Sequence, residues 1–233
     1  MLYLIGLGLG NEKDLTLSGI EIAKRCECFC ELYTSAWSGS IKDLEKLIGK
    51  EMKQLKRSDL EENLQTLLNL AKQKDIAIFV PGDPLAATTH ISLVIEARKQ
   101  EIPVKIIHNA SIFSAISECG LQLYKFGKTV TVPLSGKLQA VADAIAKNKS
   151  IGLHTLLLLD IKMTVAQAIK LLQKEKIIKD EMLIAARSIG TDEQKIIYAK
   201  AEELIEKNIL PPAVLILPGQ LHFKEKEFLE MIK

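Results

Sequence analysis

Apolar residues in this chain come in short unbroken runs, separated by longer segments in which they recur every third or fourth position. In the first half strands are predicted at Leu2–Gly8, Cys28–Tyr33, Glu51–Leu55, Ile76–Val80 and Val104–Ile107, of which Ile76–Val80 is an unbroken apolar run. Between them, Thr16–Lys24, Ile41–Leu47, Asp59–Lys74 and Ile91–Arg98 have helical spacing; in the third, Leu60, Leu64, Leu67, Leu68 and Ala71 share the apolar side. Strand and helix thus alternate, which predicts a parallel sheet with helices on its faces. A further helix is expected over Ile112–Cys119, closed by Gly120.

Past Tyr124-Lys125-Phe126-Gly127 the rhythm changes. Short strands are predicted at Thr129–Val132, Thr155–Leu159, Met182–Ala186, Lys195–Ala199 and Ala213–Leu217. Helices are predicted at Leu138–Lys147, Thr164–Gln173, Ala201–Lys207 and Lys224–Ile232. The turn Ser188-Ile189-Gly190-Thr191-Asp192 joins two of these strands as a hairpin, so antiparallel pairing enters here. The expected fold class is α/β in two domains: residues 1–110 with a mainly parallel sheet and flanking helices, residues 111–233 with a mixed sheet and helices.

Composition narrows the function. A 48% apolar and 26% charged chain of 233 residues is that of an ordinary globular protein. A net charge of +2 gives no reason to expect nucleic acid or an anionic membrane as partner. No apolar run approaches the ~18 residues of a membrane helix, and the start Met1-Leu2-Tyr3-Leu4-Ile5-Gly6 reads as a first strand, not a signal peptide, so a cytoplasmic protein is expected. Cys26, Cys28 and Cys30 alternate along one strand, which suits reduced core thiols and not a C-x-x-C metal or redox site. No metal is expected.

The turns hold the candidate chemistry. Gly6-Leu7-Gly8-Leu9-Gly10 after the first strand invites a dinucleotide reading, and Glu31, roughly twenty residues on, stands where a ribose-binding acid would. Asn11 replaces the third small residue, however, and Glu12 and Asp14 crowd the next helix start, where they would repel a pyrophosphate. The stretch Phe79-Val80-Pro81-Gly82-Asp83-Pro84-Leu85-Ala86-Ala87-Thr88-Thr89-His90 is a stiff strand-to-helix turn with one carboxylate, at the strand end where open α/β sheets place ligands. Ser111 in His108-Asn109-Ala110-Ser111-Ile112 suits a helix N-cap and equally a ligand contact. His90 and His108 lie at strand ends, His154 and His222 beside strands; no H-E-x-x-H, G-x-S-x-G or G-x-x-x-x-G-K-[ST] motif is present.

Six blocks in order carry a resemblance: Leu2 to Gly10, Pro81 to His90, His108 to Ile112, Gly120-Leu121-Gln122-Leu123-Tyr124-Lys125-Phe126-Gly127, Gly152 to Lys162, and Pro218-Gly219-Gln220-Leu221-His222. In these the chain resembles, nearly end to end, the diphthine-forming branch of the tetrapyrrole-methylase-like methyltransferases. The resemblance implies a two-domain homodimeric enzyme that binds S-adenosylmethionine in the cleft between its domains. It further implies methylation of the amine of a 3-amino-3-carboxypropyl-histidine on translation elongation factor 2, in diphthamide biosynthesis. The positions matching the family's cofactor contacts are Leu9, Asp83, Ala86, Ser111, Ile112, Leu159, Ser188 and Ala213. Many relatives have alanine in place of Ser188 and histidine in place of Ala213, so contacts there are expected from the main chain.

A site poor in catalytic side chains suits methyl transfer, because the methyl carbon is already activated and alignment alone is worth roughly 7 to 11 kcal/mol. The substrate amine must first lose a proton; His90 and Asp83 are candidates for accepting it, and solvent is an alternative. Two other readings stand beside this one: a methylase of the same fold acting on a corrinoid or porphyrin precursor, and a non-catalytic module that binds a nucleotide or elongation factor 2.

Overall fold

In the computed structural model, which describes residues Met1–Lys233, the apolar runs of the first half are strands β1 (Leu2–Gly6), β2 (Glu27–Glu31), β3 (Met52–Leu55), β4 (Ile76–Val80) and β5 (Val104–Ile107). Between them lie α1 (Leu17–Ala23), α2 (Ile41–Ile48), α3 (Arg57–Glu61), α4 (Leu64–Gln73) and α5 (Ile91–Lys99). All pairings are parallel, in the order β3-β2-β4-β1-β5. The chain folds as two units, Met1–Phe113 and Ser114–Lys233.

The period-two alternation of the central strands sorts the first unit into two cores. Leu2, Leu4, Phe29, Ile76, Ile78 and Val80 pack with Leu60, Leu67, Leu68, Leu93, Val94 and Ala97 of α3, α4 and α5. Tyr3, Ile5, Cys28, Cys30, Ala77 and Phe79 face Ile22, Ala23, Leu44 and Ile48 of α1 and α2. Because β1, β2 and β4 are covered on both sides, they read as continuous apolar runs. The thiols of Cys26, Cys28 and Cys30 are buried in the second core and unpaired, and burial pushes Cys28 and Cys30 up to about 11.

The expected helix over Asp59–Lys74 is two helices, α3 and α4, broken at Glu62 and Asn63. Both of their amides turn back to the Ser58 carbonyl, which closes the first helix, and Asn63 starts the next. The apolar spacing continues across the break, so periodicity alone misses it. Over Ile112–Cys119 only α6 (Ile112–Ala115) is α-helical, and the rest tightens to a 3₁₀ turn closed by Gly120 in the left-handed region.

The second unit holds β6 (Val130–Val132), α7 (Gln139–Ser150), β7 (Thr155–Leu159), α8 (Val165–Lys174), β8 (Met182–Arg187), β9 (Lys195–Lys200), α9 (Ala201–Glu206), β10 (Ala213–Leu217) and α10 (Phe223–Met231). Its order is β6-β7-β10-β8-β9, with β6 and β7 parallel and the other pairs antiparallel, the mixed sheet the sequence predicts. One face is covered by α7, α8 and α9 through Val141, Ile145, Ala168, Ile169, Leu172 and Leu204.

A polar knot ties its loops together around the buried Glu225 of α10. Oε1 accepts from Gln122 N at 2.9 Å and meets His154 Nε2 at 3.1 Å; Oε2 accepts from His222 N at 2.6 Å and Lys125 Nζ at 2.5 Å. His154 is also buried, and its Nδ1 accepts from Gly219 N at 2.8 Å, which puts its proton on Nε2, facing Glu225.

Candidate functional site

Three loops meet at the C-terminal ends of β4, β1 and β5, where the first sheet changes direction. From β1 the chain crosses to β2 on one side, and from β4 to β5 on the other, the arrangement that opens a crevice in α/β sheets. Gly8 and Gly82 exchange backbone hydrogen bonds of 3.1 and 2.9 Å, joining the first two loops. Asn109, just past β5, donates from Nδ2 to the Gly6 carbonyl at 3.0 Å and the Asp14 carbonyl at 2.9 Å, joining the third. Only glycine fits at position 6: a Cβ there would lie 2.5 Å from the Gly82 carbonyl oxygen and 2.7 Å from Asn109 Cβ.

Asp83 organises its turn. Oδ1 accepts from Leu85 N at 2.9 Å, and its carbonyl accepts from Ala86 N at 3.1 Å. Oδ2 accepts from Asn109 N at 3.2 Å and lies 2.7 Å from His108 Nδ1. The Asp83 side chain is 12% exposed and the His108 ring 69%. Ala87 takes φ +57°, a left-handed conformation that costs an alanine ~1–2 kcal/mol.

The glycine-rich turn is closed to a pyrophosphate by its own chain, since Asp14 Oδ2 accepts from Gly10 N at 2.7 Å. Leu9, between Gly8 and Gly10, keeps its peptide group free of intrachain partners. Glu31 is fully buried and serves the loop after β2, accepting from Tyr33 N, Thr34 N and the Thr34 hydroxyl. Burial raises its pKa, opposed by those bonds. His90, the sequence's candidate proton acceptor, lies inside the unit with Nε2 3.6 Å from Glu31 Oε1. Neither of its ring nitrogens has a well-formed hydrogen bond, and burial lowers its pKa, opposed by the Pro84 carbonyl.

Of the eight positions singled out by resemblance, Leu9, Asp83, Ala86, Ser111 and Ile112 fall on the three joined loops of the first unit. The other three gather at one end of the second sheet. Leu159 ends β7 and Ala213 begins its neighbour β10, in a register that pairs Leu158 with Val214. Ala213 pairs with Arg187, and Ser188 N donates to the Pro212 carbonyl at 3.1 Å. Ser188 takes φ +49°, and the Pro211-Pro212 peptide is cis. No three His, Cys, Asp or Glu side chains stand together as metal ligands.

Sequence reasoning noted His108 as a histidine at a strand end but gave it no role, and passed over Asn109 except as a neighbour of Ser111. The signal that locates them is the sheet order: β5 lies against β1, which brings its end beside Gly6 and the Asp83 turn.

Comparison with known proteins gives the family. The model of the tetrapyrrole (corrin/porphyrin) methylases matches residues 1–205. The chain is 39% identical to a diphthine methyl ester synthase of Schizosaccharomyces pombe, over 98% of this chain and 93% of the relative. It is 39% identical to a diphthine synthase of Methanocaldococcus jannaschii, over 100% of this chain and 98% of the relative. A crystal structure of diphthine synthase superposes with a TM-score of 0.93 at 36% identity, covering 99% of this chain and 95% of that one.

Proposed function

This chain belongs to the tetrapyrrole (corrin/porphyrin) methylase family, and on that premise we propose that it methylates the amine of a 3-amino-3-carboxypropyl-histidine on elongation factor 2, making diphthine. It is a methyltransferase of that fold, and its curated full-length relatives in archaea and eukaryotes bear diphthine synthase names. The observation that carries the reading is that likeness from end to end, in sequence and in fold.

The donor we propose is S-adenosylmethionine, which when bound supplies a methyl carbon activated by its sulfonium. The residues present fit such a molecule. Leu9 offers an unpartnered peptide group, and around Gly82 a Cβ would meet nothing nearer than 3.8 Å. The Asp83 carboxylate favours a positively charged donor. Leu9, Asp83, Ala86, Ser111 and Ile112 of the first unit, with Leu159, Ser188 and Ala213 of the second, are the proposed contacts. At Ser188 and Ala213 the contact is a main-chain one. The protein acts as a cytoplasmic homodimer, which sedimentation velocity and cell fractionation test.

The decisive experiment incubates purified protein with labelled methyl donor and elongation factor 2 carrying the aminocarboxypropyl histidine. Mass spectrometry of the modified peptide is expected to show methyl additions and to count them, which separates diphthine from its methyl ester. Label on a tetrapyrrole precursor instead, or binding of elongation factor 2 without transfer, overturns the proposal.

A further inference from the structure

We propose that His108 is the group that takes the proton from the substrate amine, with Asp83 as the residue that positions it. The inference rests on the methyltransferase reading above. A carboxylate only accepts hydrogen bonds, so the 2.7 Å contact of Asp83 Oδ2 with His108 Nδ1 places the ring proton on Nδ1 and leaves the lone pair on Nε2. Asp83 is itself held, since Asn109 N and Leu85 N also donate to its carboxylate. The ring is 69% exposed and nothing in the chain hydrogen-bonds Nε2. A single hydrogen bond to a ring this exposed adds little to stability, so packing does not account for an imidazole fixed here. A buried, anchored carboxylate that fixes the tautomer of an accessible imidazole is the arrangement of a general base.

Of the other titratable groups on these loops, Glu12 is partly exposed and Lys13 exposed in the turn after β1, neither bonded to the Asp83 turn, and three more are engaged elsewhere. His90 and Glu31 are buried, and the Asp14 carboxylate is bonded to Gly10 N. His108 also stands three residues before Ser111, on the loops that carry the proposed donor contacts.

The step balances without oxidant or reductant. The substrate ammonium gives one proton to Nε2, while the Nδ1 proton stays on the ring, hydrogen-bonded to Asp83, so the imidazolium formed faces the carboxylate. The freed amine lone pair forms the N–C bond as the C–S bond opens, and that bonding pair leaves on sulfur as a neutral thioether. Nε2 returns its proton to solvent before the next transfer.

The test compares the unsubstituted protein with His108→Asn, whose amide still offers Asp83 a donor but accepts no proton. The substrate amine stands beside a free carboxylate, so it titrates above the ~8 of a peptide α-amino group and is almost wholly ammonium at pH 7; single-turnover transfer should slow by about tenfold or more there, with the deficit shrinking as the pH is raised toward about 10. Calorimetry should show S-adenosylmethionine affinity changed less than about twofold, within the spread of a surface substitution. Nitrogen NMR of the donor-free protein should find His108 protonated at Nδ1, and Asp83→Asn should move the proton toward Nε2. Transfer by His108→Asn at the original rate, a deficit that does not vary with pH, or an Nε2–H tautomer in the unsubstituted protein refutes the role. If the unsubstituted protein transfers no methyl group, the proposed reaction fails first, and the base role falls with it.

Discussion

Glu225→Gln is the sharpest probe of the polar knot in the second unit. Four donors converge on two carboxylate oxygens: Gln122 N and His154 Nε2 on one, His222 N and Lys125 Nζ on the other. A glutamine turns one of those oxygens into a donor facing two donors, each left unsatisfied at ~1–3 kcal/mol. An independent figure comes from the electrostatics around the carboxyl. Burial pushes the carboxyl up, but the bonds from Gln122, Lys125, His222 and His154 more than offset it and hold the group at about 2, against 4.5 unperturbed. A depressed folded pKa stabilises above the unfolded value and is lost as pH falls toward the folded one. The contribution is therefore about 3 kcal/mol at pH 7 and about 1.5 kcal/mol at pH 3. Urea unfolding of both proteins from pH 7 to pH 3, followed by a probe in the second unit, measures this difference directly. A difference under about 1 kcal/mol at pH 7, or one that stays flat with pH, refutes the account of Glu225 as the ionised centre of the knot.

Other outcomes follow from the same geometry. Gly6→Ala should part the β1, β4 and β5 loops, since its Cβ meets the Gly82 carbonyl at 2.5 Å; we expect a loss of about 2–4 kcal/mol in unfolding free energy and loss of donor binding by calorimetry. The four cysteines are buried, with Cys119 pushed up to about 12, so a thiol reagent at pH 8 should leave the native protein unlabelled and label all four in denaturant. Burial lowers the pKa of both His90 and His154, so their folded values lie below the ordinary 6.5. Stability should fall as pH drops below 6.5, and His90→Phe should flatten that part of the curve in thermal melts.

Much of the fold was legible because the central strands of both sheets are buried and apolar. Runs such as Ile76–Val80 and Thr155–Leu159 have sharp ends in sequence and the same ends in the structure. The hairpin at Ser188 was equally plain, and it forms the antiparallel pair β8 and β9. The break between α3 and α4 was not, because the leucine spacing runs through Asn63 as though the helix continued. At the site, the Asp83 turn was visible as two prolines and a glycine at a strand end. What the chain order hid was that β5 lies against β1, and so that His108 and Asn109 close the turn Asp83 begins.

The six blocks that carry the resemblance divide by physical role. The first three, around Gly6, Asp83 and Asn109, are joined to one another by backbone and side-chain bonds at the end of the first sheet. The other three contain Gln122 and Lys125, His154, and Gly219 and His222, the partners that enclose Glu225. Gly127 belongs to the same scaffold, because a Cβ there would strike Asn148 Oδ1 at 2.1 Å. These later blocks have side chains and backbone amides committed inside the second unit, so substitutions in them should act first on its stability. A motif shared with an enzyme family is therefore not by itself a set of ligand contacts. In the first unit, His108 Nε2 and the Leu9 peptide stand on the joined loops without intrachain partners, so substitutions at His108 should act less on stability than those at Gly6 or Asn109.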